Sequence, residues 1–230
     1  MSPDSRFEPE ARVAGEGPAV PAQAQAAGRP AHAPGDAPGD APGDGRPDPP
    51  TPIVRRLCLL GGESAGKTTL AQALARELEA PCVPEYGREL WLQVGGTFGE
   101  ALLLEVAREQ VRREEAALAR ARTQAARHGR AETWVVCDTS ALTTLVYCLL
   151  DHGRAPQELH ALARRPYELT VLCALDFGFV QDGARRDAGF SARQQALTVQ
   201  LLEAFGMRWL PASGDVAARL HAVRAWLRRA

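Results

Sequence analysis

The stretch "IVRRLCLLGGESAGKTTL", residues 53–70, predicts the fold of this chain. Residues 53–60 form a short apolar run typical of a buried strand, and a glycine-rich turn follows at once. Leu70, Leu74 and Leu78 then recur every four residues, as on the inner face of a helix. The turn fits the pattern G-x-x-x-x-G-K-[ST], which in a strand–loop–helix context is the Walker A phosphate-binding loop.

The lysine of this loop is the only lysine in a chain with 27 basic residues. Arginine serves everywhere else, so Lys67 marks a position where a compact ammonium is needed. Glycines let backbone N–H groups surround an anion, Lys67 can reach the β- and γ-phosphates, and the Thr68 hydroxyl can bind Mg²⁺. We expect an ATP site formed by Gly61, Gly62, Glu63, Ser64, Ala65, Gly66, Lys67, Thr68 and Thr69.

Residues 53–230 alternate strand-like runs with amphipathic segments, which predicts a parallel sheet covered on both faces. We expect an α/β fold of three layers, α/β/α, with about five strands and a short lid, as in P-loop NTPases. The predicted strands lie at 53–60, within 81–89, and at 133–138, 169–175 and 207–211. The helices predicted after the first one cover 99–128, 194–205 and a final segment capped by Ser213.

Composition separates residues 1–52 from this domain. They hold 12 of the 17 prolines and three copies of Ala-Pro-Gly-Asp, and we expect a disordered arm. The remainder carries 23 basic against 20 acidic residues, a balance that does not favour general nucleic-acid binding. Five scattered cysteines suggest reduced thiols and a cytoplasmic location. We expect neither a signal peptide nor a membrane span.

Two acids follow predicted strands and are candidates for chemistry. Ligands of parallel sheets bind beyond the carboxyl ends of the strands, where Gly61, Glu85, Asp138 and Asp176 fall. Glu85 can orient and deprotonate an attacking hydroxyl, or it can be a solvated acid of a loop. The residues alone leave both roles open. Asp138 ends an apolar strand and can hold Mg²⁺, a role compatible with capping the next helix.

Four motifs together resemble the ribosylnicotinamide (nicotinamide riboside) kinase domain of NadR-type proteins: GGESAGKTTL, EYGRE, CDT and DGARRDAGFSARQQ. The resemblance implies transfer of the ATP γ-phosphoryl group to the 5′-hydroxyl of nicotinamide riboside, giving nicotinamide mononucleotide for NAD biosynthesis. The sequence departs from the family at Ser140, where an acid is usual. Family members often carry an N-terminal adenylyltransferase domain; residues 1–52 show no sign of one, so we expect a stand-alone kinase.

The resemblance also implies roles for residues beyond the loop. Arg185 and Arg193 match lid arginines that close over the phosphates, whereas Arg186 has no counterpart and is expected at the surface. Arg88 and Tyr86 flank the proposed base, Glu85, as substrate-binding residues. Tyr86 could stack on a nicotinamide ring or pack in the core.

Two other functions remain open from the sequence. A different nucleoside kinase would use the same loop, carboxylate and lid, although EYGRE argues against it. A P-loop regulatory module would bind ATP without phosphorylating a metabolite. For either kinase, the one acting on nicotinamide riboside or the one acting on another nucleoside, we expect a small-molecule substrate as the partner.

Overall fold

The computed structural model describes residues 50–180 and 185–229, and within them the predicted α/β fold is confirmed. Five parallel strands lie in the order β2-β3-β1-β4-β5. The strands are β1 (Ile53–Leu60), β2 (Cys82–Val83), β3 (Glu132–Cys137), β4 (Leu169–Cys173) and β5 (Leu210–Ala212). The helices are α1 (Lys67–Glu77), α2 (Tyr86–Val94), α3 (Glu100–Arg127), α4 (Ala141–His152), α5 (Gln157–Ala163), α6 (Ala188–Ala204) and α7 (Val216–Leu227).

Alternation along β1 creates the three layers. Leu57 and Leu59 face the helices α1 and α7, whereas Cys58 and Leu60 face α3, α4 and α6. Each face is therefore buried beneath helices, as a parallel sheet requires. All five cysteines are free, and only Cys82 is exposed.

Several predicted boundaries were wrong. Only two residues of the segment 81–89 form a strand, and α2 begins at Tyr86, because the Gln110 side chain accepts from the Tyr86 N–H. Helix α6 begins at Ala188 rather than 194, since the Asp187 side chain caps it by accepting from the Phe190 N–H.

The residue predicted to cap the last helix was also wrong. Asp215, not Ser213, caps α7 by accepting from the Ala218 N–H at 2.8 Å. Gly214 adopts a left-handed conformation with φ of 81°, which carries the turn past Ser213 before the helix starts. The last strand is correspondingly shifted from 207–211 to Leu210–Ala212.

The predicted arm lies outside the described residues, apart from its last three positions. Part of the predicted lid, residues 182–184, also lies outside them. Within the described part of the chain, no helix combines the length and the apolar character needed to cross a membrane.

Candidate active site

The glycine-rich loop between β1 and α1 has a backbone that few residues other than glycine could adopt. Gly61 and Gly66 have φ values of 140° and 76°, and Gly66 is the N-cap residue directly before α1. A Cβ on Gly62 would lie 2.5 Å from the Ser191 carbonyl oxygen of α6. The glycines therefore provide both the turn and the close packing of the loop against α6.

Two neighbouring glutamines of α6 fix this loop. The Gly62 N–H donates to the Gln195 side chain at 2.9 Å, and the Glu63 N–H donates to that of Gln194 at 3.0 Å. The Ser191 hydroxyl donates to the Glu63 carbonyl at 2.6 Å. The loop is thereby held in one shape by side chains that the local sequence did not reveal.

Lys67 lies at the floor of the loop, where the sequence placed it. Its Nζ donates to the carbonyls of Gly61 and Gly62, each at 2.9 Å. An ammonium has three donors on a flexible stem, so it can move from these carbonyls to phosphate oxygens.

A cleft of about 630 Å³ opens over the loop and brings most of the predicted residues together. Its lining includes the predicted Glu63, Ser64, Ala65, Gly66, Lys67, Thr68, Thr69, Glu85, Arg88 and Arg185. Burial raises the pKa of Glu85, and the charges of Lys67 and Arg88 offset part of that rise. The cleft therefore combines a cation at the phosphate loop with a carboxyl group of unusual proton affinity.

Asp138, at the end of β3, could hold a divalent cation with Thr68. Its carboxylate is buried, and among the described residues its Oδ1 atom has no hydrogen-bond partner. Burial raises its pKa, which the nearby Thr68 hydroxyl and Lys67 partly offset. Hard oxygen donors of this kind suit Mg²⁺, so these residues fit the predicted ion. Asp138 lies behind the cleft surface rather than on it.

The corner after Asp138 is strained, and Ser140, where the resemblance leads one to expect an acid, caps the next helix. Thr139 has a φ of 93°, rare for a β-branched residue, and its hydroxyl donates to that of Thr143 at 2.5 Å. The Ser140 side chain accepts from the Leu142 N–H and caps α4. Ser140, and not Asp138 as the sequence analysis suggested, therefore caps α4.

Arg185 and Arg186 both line the cleft; Arg186 is exposed, as expected of a surface residue, and also belongs to the cleft lining. Arg186 donates through two nitrogens to Asp151, at 2.5 and 2.6 Å, and its Cζ lies 4.0 Å from the centre of the Phe190 ring. Arg185 donates to the Val180 carbonyl at 2.7 Å.

Two of the predicted site residues do not line the cleft. The Arg113 guanidinium lies 4.4 Å from the centre of the Tyr86 ring, so Tyr86 packs against α3 and does not line the cleft. Arg193 is exposed on α6 and also lies outside the cleft lining. The aromatic side chains that do line it are Trp91, Phe98 and Tyr147. Sequence reasoning missed them because they lie on segments brought together only by the fold.

Asp176 also lies outside the cleft lining, although it follows β4 as predicted. It pairs with Arg219 of α7 and accepts from the Gly214 N–H. Of the acids expected to share one cleft, Glu85 lines it, Asp138 adjoins it through Thr68, and Asp176 faces α7.

The fold has counterparts among solved structures. Two crystal structures of NadR protein, one with NAD and AMP-PNP and one with NR, each match with a TM-score of 0.57 over 77% of this chain, at 18% and 23% identity. Thymidylate kinase from Ehrlichia chaffeensis matches with a TM-score of 0.55 at 15% identity, covering 76% of this chain and 100% of its own. The resemblance to NadR-type proteins is thus confirmed at the level of the fold.

The chain spans about half the length of the NadR chains, 49% and 51%. A family model described as an AAA domain matches residues 56–219, which contain the whole loop, Glu85, Asp138 and the three arginines that line the cleft. The match covers more than half of the chain. The chain therefore belongs to this AAA-domain family of P-loop proteins.

Proposed function

We propose that this protein is an ATP-dependent kinase that phosphorylates the 5′-hydroxyl of nicotinamide riboside to give nicotinamide mononucleotide. One observation carries the proposal: Lys67 and Glu85 line the same cleft, and burial raises the pKa of Glu85. Phosphoryl transfer to an alcohol needs a cation at the phosphates and a carboxylate within reach of the hydroxyl.

The residues divide the reaction between them. The Glu85 carboxylate accepts the hydroxyl proton as the sugar oxygen bonds to the γ-phosphorus, and the bond from that phosphorus to the β–γ bridging oxygen breaks. Lys67 exchanges its two loop carbonyls for phosphate oxygens, and Arg185 adds positive charge at the cleft. Mg²⁺, held by Thr68 and Asp138, would neutralise phosphate charge when bound.

The cleft also suits a flat ring. Trp91, Phe98 and Tyr147 line it together with Gln110 and Thr144, and aromatic faces favour stacking on a cationic pyridinium. The NadR structure solved with NR supports this acceptor, because the two chains share their fold.

The test is ADP production with nicotinamide riboside, nicotinic acid riboside, thymidine, cytidine, thymidine monophosphate and no acceptor. The product formed from nicotinamide riboside should carry its phosphate at the 5′ position by mass spectrometry and phosphorus NMR. Turnover mainly with thymidine, cytidine or thymidine monophosphate would instead favour a nucleoside or nucleotide kinase, a function suggested by the likeness to thymidylate kinase. Binding of ATP without turnover of any acceptor would favour a regulatory module.

A further inference from the structure

Helix α7 carries a buried arginine that the function proposed above does not use. Arg219 is 1% exposed and is the only arginine in the buried set of the described residues. It shares the inner face of α7 with Val223, where an apolar residue would be expected. A guanidinium is rarely buried unless all its donors are engaged, so its partners indicate what it does.

Those partners come from three separate loops. Nε donates to the Gly214 carbonyl at 2.9 Å, one terminal nitrogen donates to the Ala65 carbonyl at 2.5 Å, and the other donates to the Ala174 carbonyl at 3.1 Å. The terminal nitrogen that donates to Ala174 also pairs with the Asp176 carboxylate. Arg219 thus joins the phosphate loop, the segment after β4 and the turn before α7.

The contact with Ala65 has a directional consequence for the phosphate site. In a trans peptide the C=O and the following N–H point in opposite directions. Ala65 and Gly66 line the cleft, and Arg219 holds the Ala65 carbonyl from the side of α7. Holding that carbonyl fixes the peptide so that the Gly66 N–H is directed away from Arg219.

A second observation places Arg219 next to Gly66. A Cβ added to Gly66 would lie 3.5 Å from a terminal nitrogen of Arg219 and 3.2 Å from the Phe177 ring. That ring covers the guanidinium, with 4.5 Å between its centre and Cζ. The loop position just before Lys67 is therefore enclosed by Arg219 and Phe177.

We propose that Arg219 is a positioning residue for the nucleotide: by holding the Ala65 carbonyl and tying it to Asp176, it presents the Gly66 peptide to the triphosphate. The proposal rests on the nucleotide-binding half of the proposed function and not on the identity of the acceptor. A role of this kind affects nucleotide binding selectively, whereas a general structural role would weaken both ligands together.

The test measures two affinities by calorimetry, that of AMP-PNP with Mg²⁺ and no acceptor, and that of nicotinamide riboside. Arg219→Met should weaken AMP-PNP binding by about 10- to 100-fold, because hydrogen bonds from a charged donor are lost, and leave riboside affinity within about twofold. Arg219→Lys should give an intermediate loss, since one ammonium cannot reproduce the planar fork. Arg224→Gln is the matched control, because Arg224 lies on the same helix but pairs with Glu77 on α1.

Asp176→Asn keeps the three carbonyl contacts and tests the proposal if Arg219→Met does not fold. It should weaken AMP-PNP binding less than the Arg219 substitutions do, with melting temperature near that of the wild type. Wild-type AMP-PNP affinity in both Arg219→Lys and Asp176→Asn would overturn the proposal, as would equal losses for both ligands. If the wild type binds AMP-PNP but no riboside, the acceptor assignment fails, and the melting temperature of each Arg219 variant then replaces riboside affinity as the measure that separates a selective loss of nucleotide binding from general destabilisation.

Discussion

The backbone N–H of Arg186 donates to the Glu63 carboxylate at 2.8 Å, which ties the segment before α6 to the phosphate loop. The Tyr147 hydroxyl donates to the same carboxylate at 2.8 Å. Glu63 is buried, so its carboxylate is the acceptor on which both donors depend. One loop residue thereby connects α4, α6 and the phosphate site.

Replacing this acceptor should loosen the loop. Glu63→Ala should lower the free energy of unfolding by about 1 to 3 kcal/mol and raise the KM for ATP, because two partly buried donors lose their partner. Glu63→Gln keeps an amide oxygen and should cost less. Urea unfolding and steady-state kinetics measure both effects. Glu100→Gln is the control, since Glu100 pairs with the exposed Arg154; unchanged values for Glu63→Ala would contradict the prediction.

Gly62 should tolerate no side chain. A Cβ there would lie 2.5 Å from the Ser191 carbonyl oxygen and 2.6 Å from its hydroxyl, so Gly62→Ala must push α6 from the loop. We expect a loss of about 1 to 3 kcal/mol in unfolding free energy together with loss of ADP production. Gly178→Ala, where a Cβ meets nothing within 4 Å, is the control for stability. A stable, active Gly62→Ala protein would show that the loop and α6 pack less closely.

Local patterns predicted the parts of the fold that depend on neighbours in sequence. The strand predicted at 53–60 coincides with β1. Glu109 pairs with Arg113 at 2.9 Å, as a four-residue spacing on one helix allows. Segment 99–128 is α3 almost to the residue. These features follow from periodicity and from contacts within a single element.

The features that were missed depend on contacts between distant elements. Helix α2 starts where it does because Gln110 of α3 accepts from the Tyr86 N–H. Arg219 resembles any other helical arginine until α7 packs against the phosphate loop. Arg186 likewise pairs with Asp151 of α4, a contact that only the folded chain brings about. Strand order and side-chain direction decide these cases, and a single sequence contains neither.

Lys67 should not be replaceable by arginine despite the arginine-rich composition. Its ammonium lies 2.9 Å from two loop carbonyls, a space too small for a planar guanidinium. We expect Lys67→Arg to lose ADP production by about 100-fold or more while the melting temperature stays close to that of the wild type. Arg76→Lys, an exchange in the opposite sense on the same helix, should change neither ADP production nor the melting temperature. A Lys67→Arg protein with wild-type activity would contradict the role assigned to Lys67.

The pH dependence of the reaction should report Glu85. Burial raises its pKa, so the carboxylate that accepts the proton is lost at a higher pH than for an ordinary glutamate. The acidic limb of kcat/KM against pH should lie above the usual glutamate range. Glu85→Gln should lower kcat by about 100-fold or more and remove that limb, whereas Glu85→Asp should retain it. Glu89→Gln, in the first turn of the helix that follows Glu85 but paired with Arg113, should leave the profile unchanged.

Glu114 should make stability depend on pH through a group remote from the cleft. It is fully buried in α3, and burial raises its pKa from 4.5 to about 7, although the Tyr167 hydroxyl, Arg165 and Arg56 oppose the rise. The native state therefore binds a proton more tightly than the unfolded chain. As pH rises from about 4.5 to about 7, Glu114 must ionise in a buried site and destabilise the fold.

Glu114→Gln removes this ionisation and leaves an oxygen to accept from the Tyr167 hydroxyl, which donates to Glu114 at 2.8 Å. Its unfolding free energy relative to the wild type should rise by about 3 kcal/mol between the acidic and neutral ends of that interval. Urea unfolding across the interval measures the difference. Glu115→Gln, next in sequence but exposed, should show no such trend. A constant offset between Glu114→Gln and the wild type would mean that Glu114 stays ionised throughout.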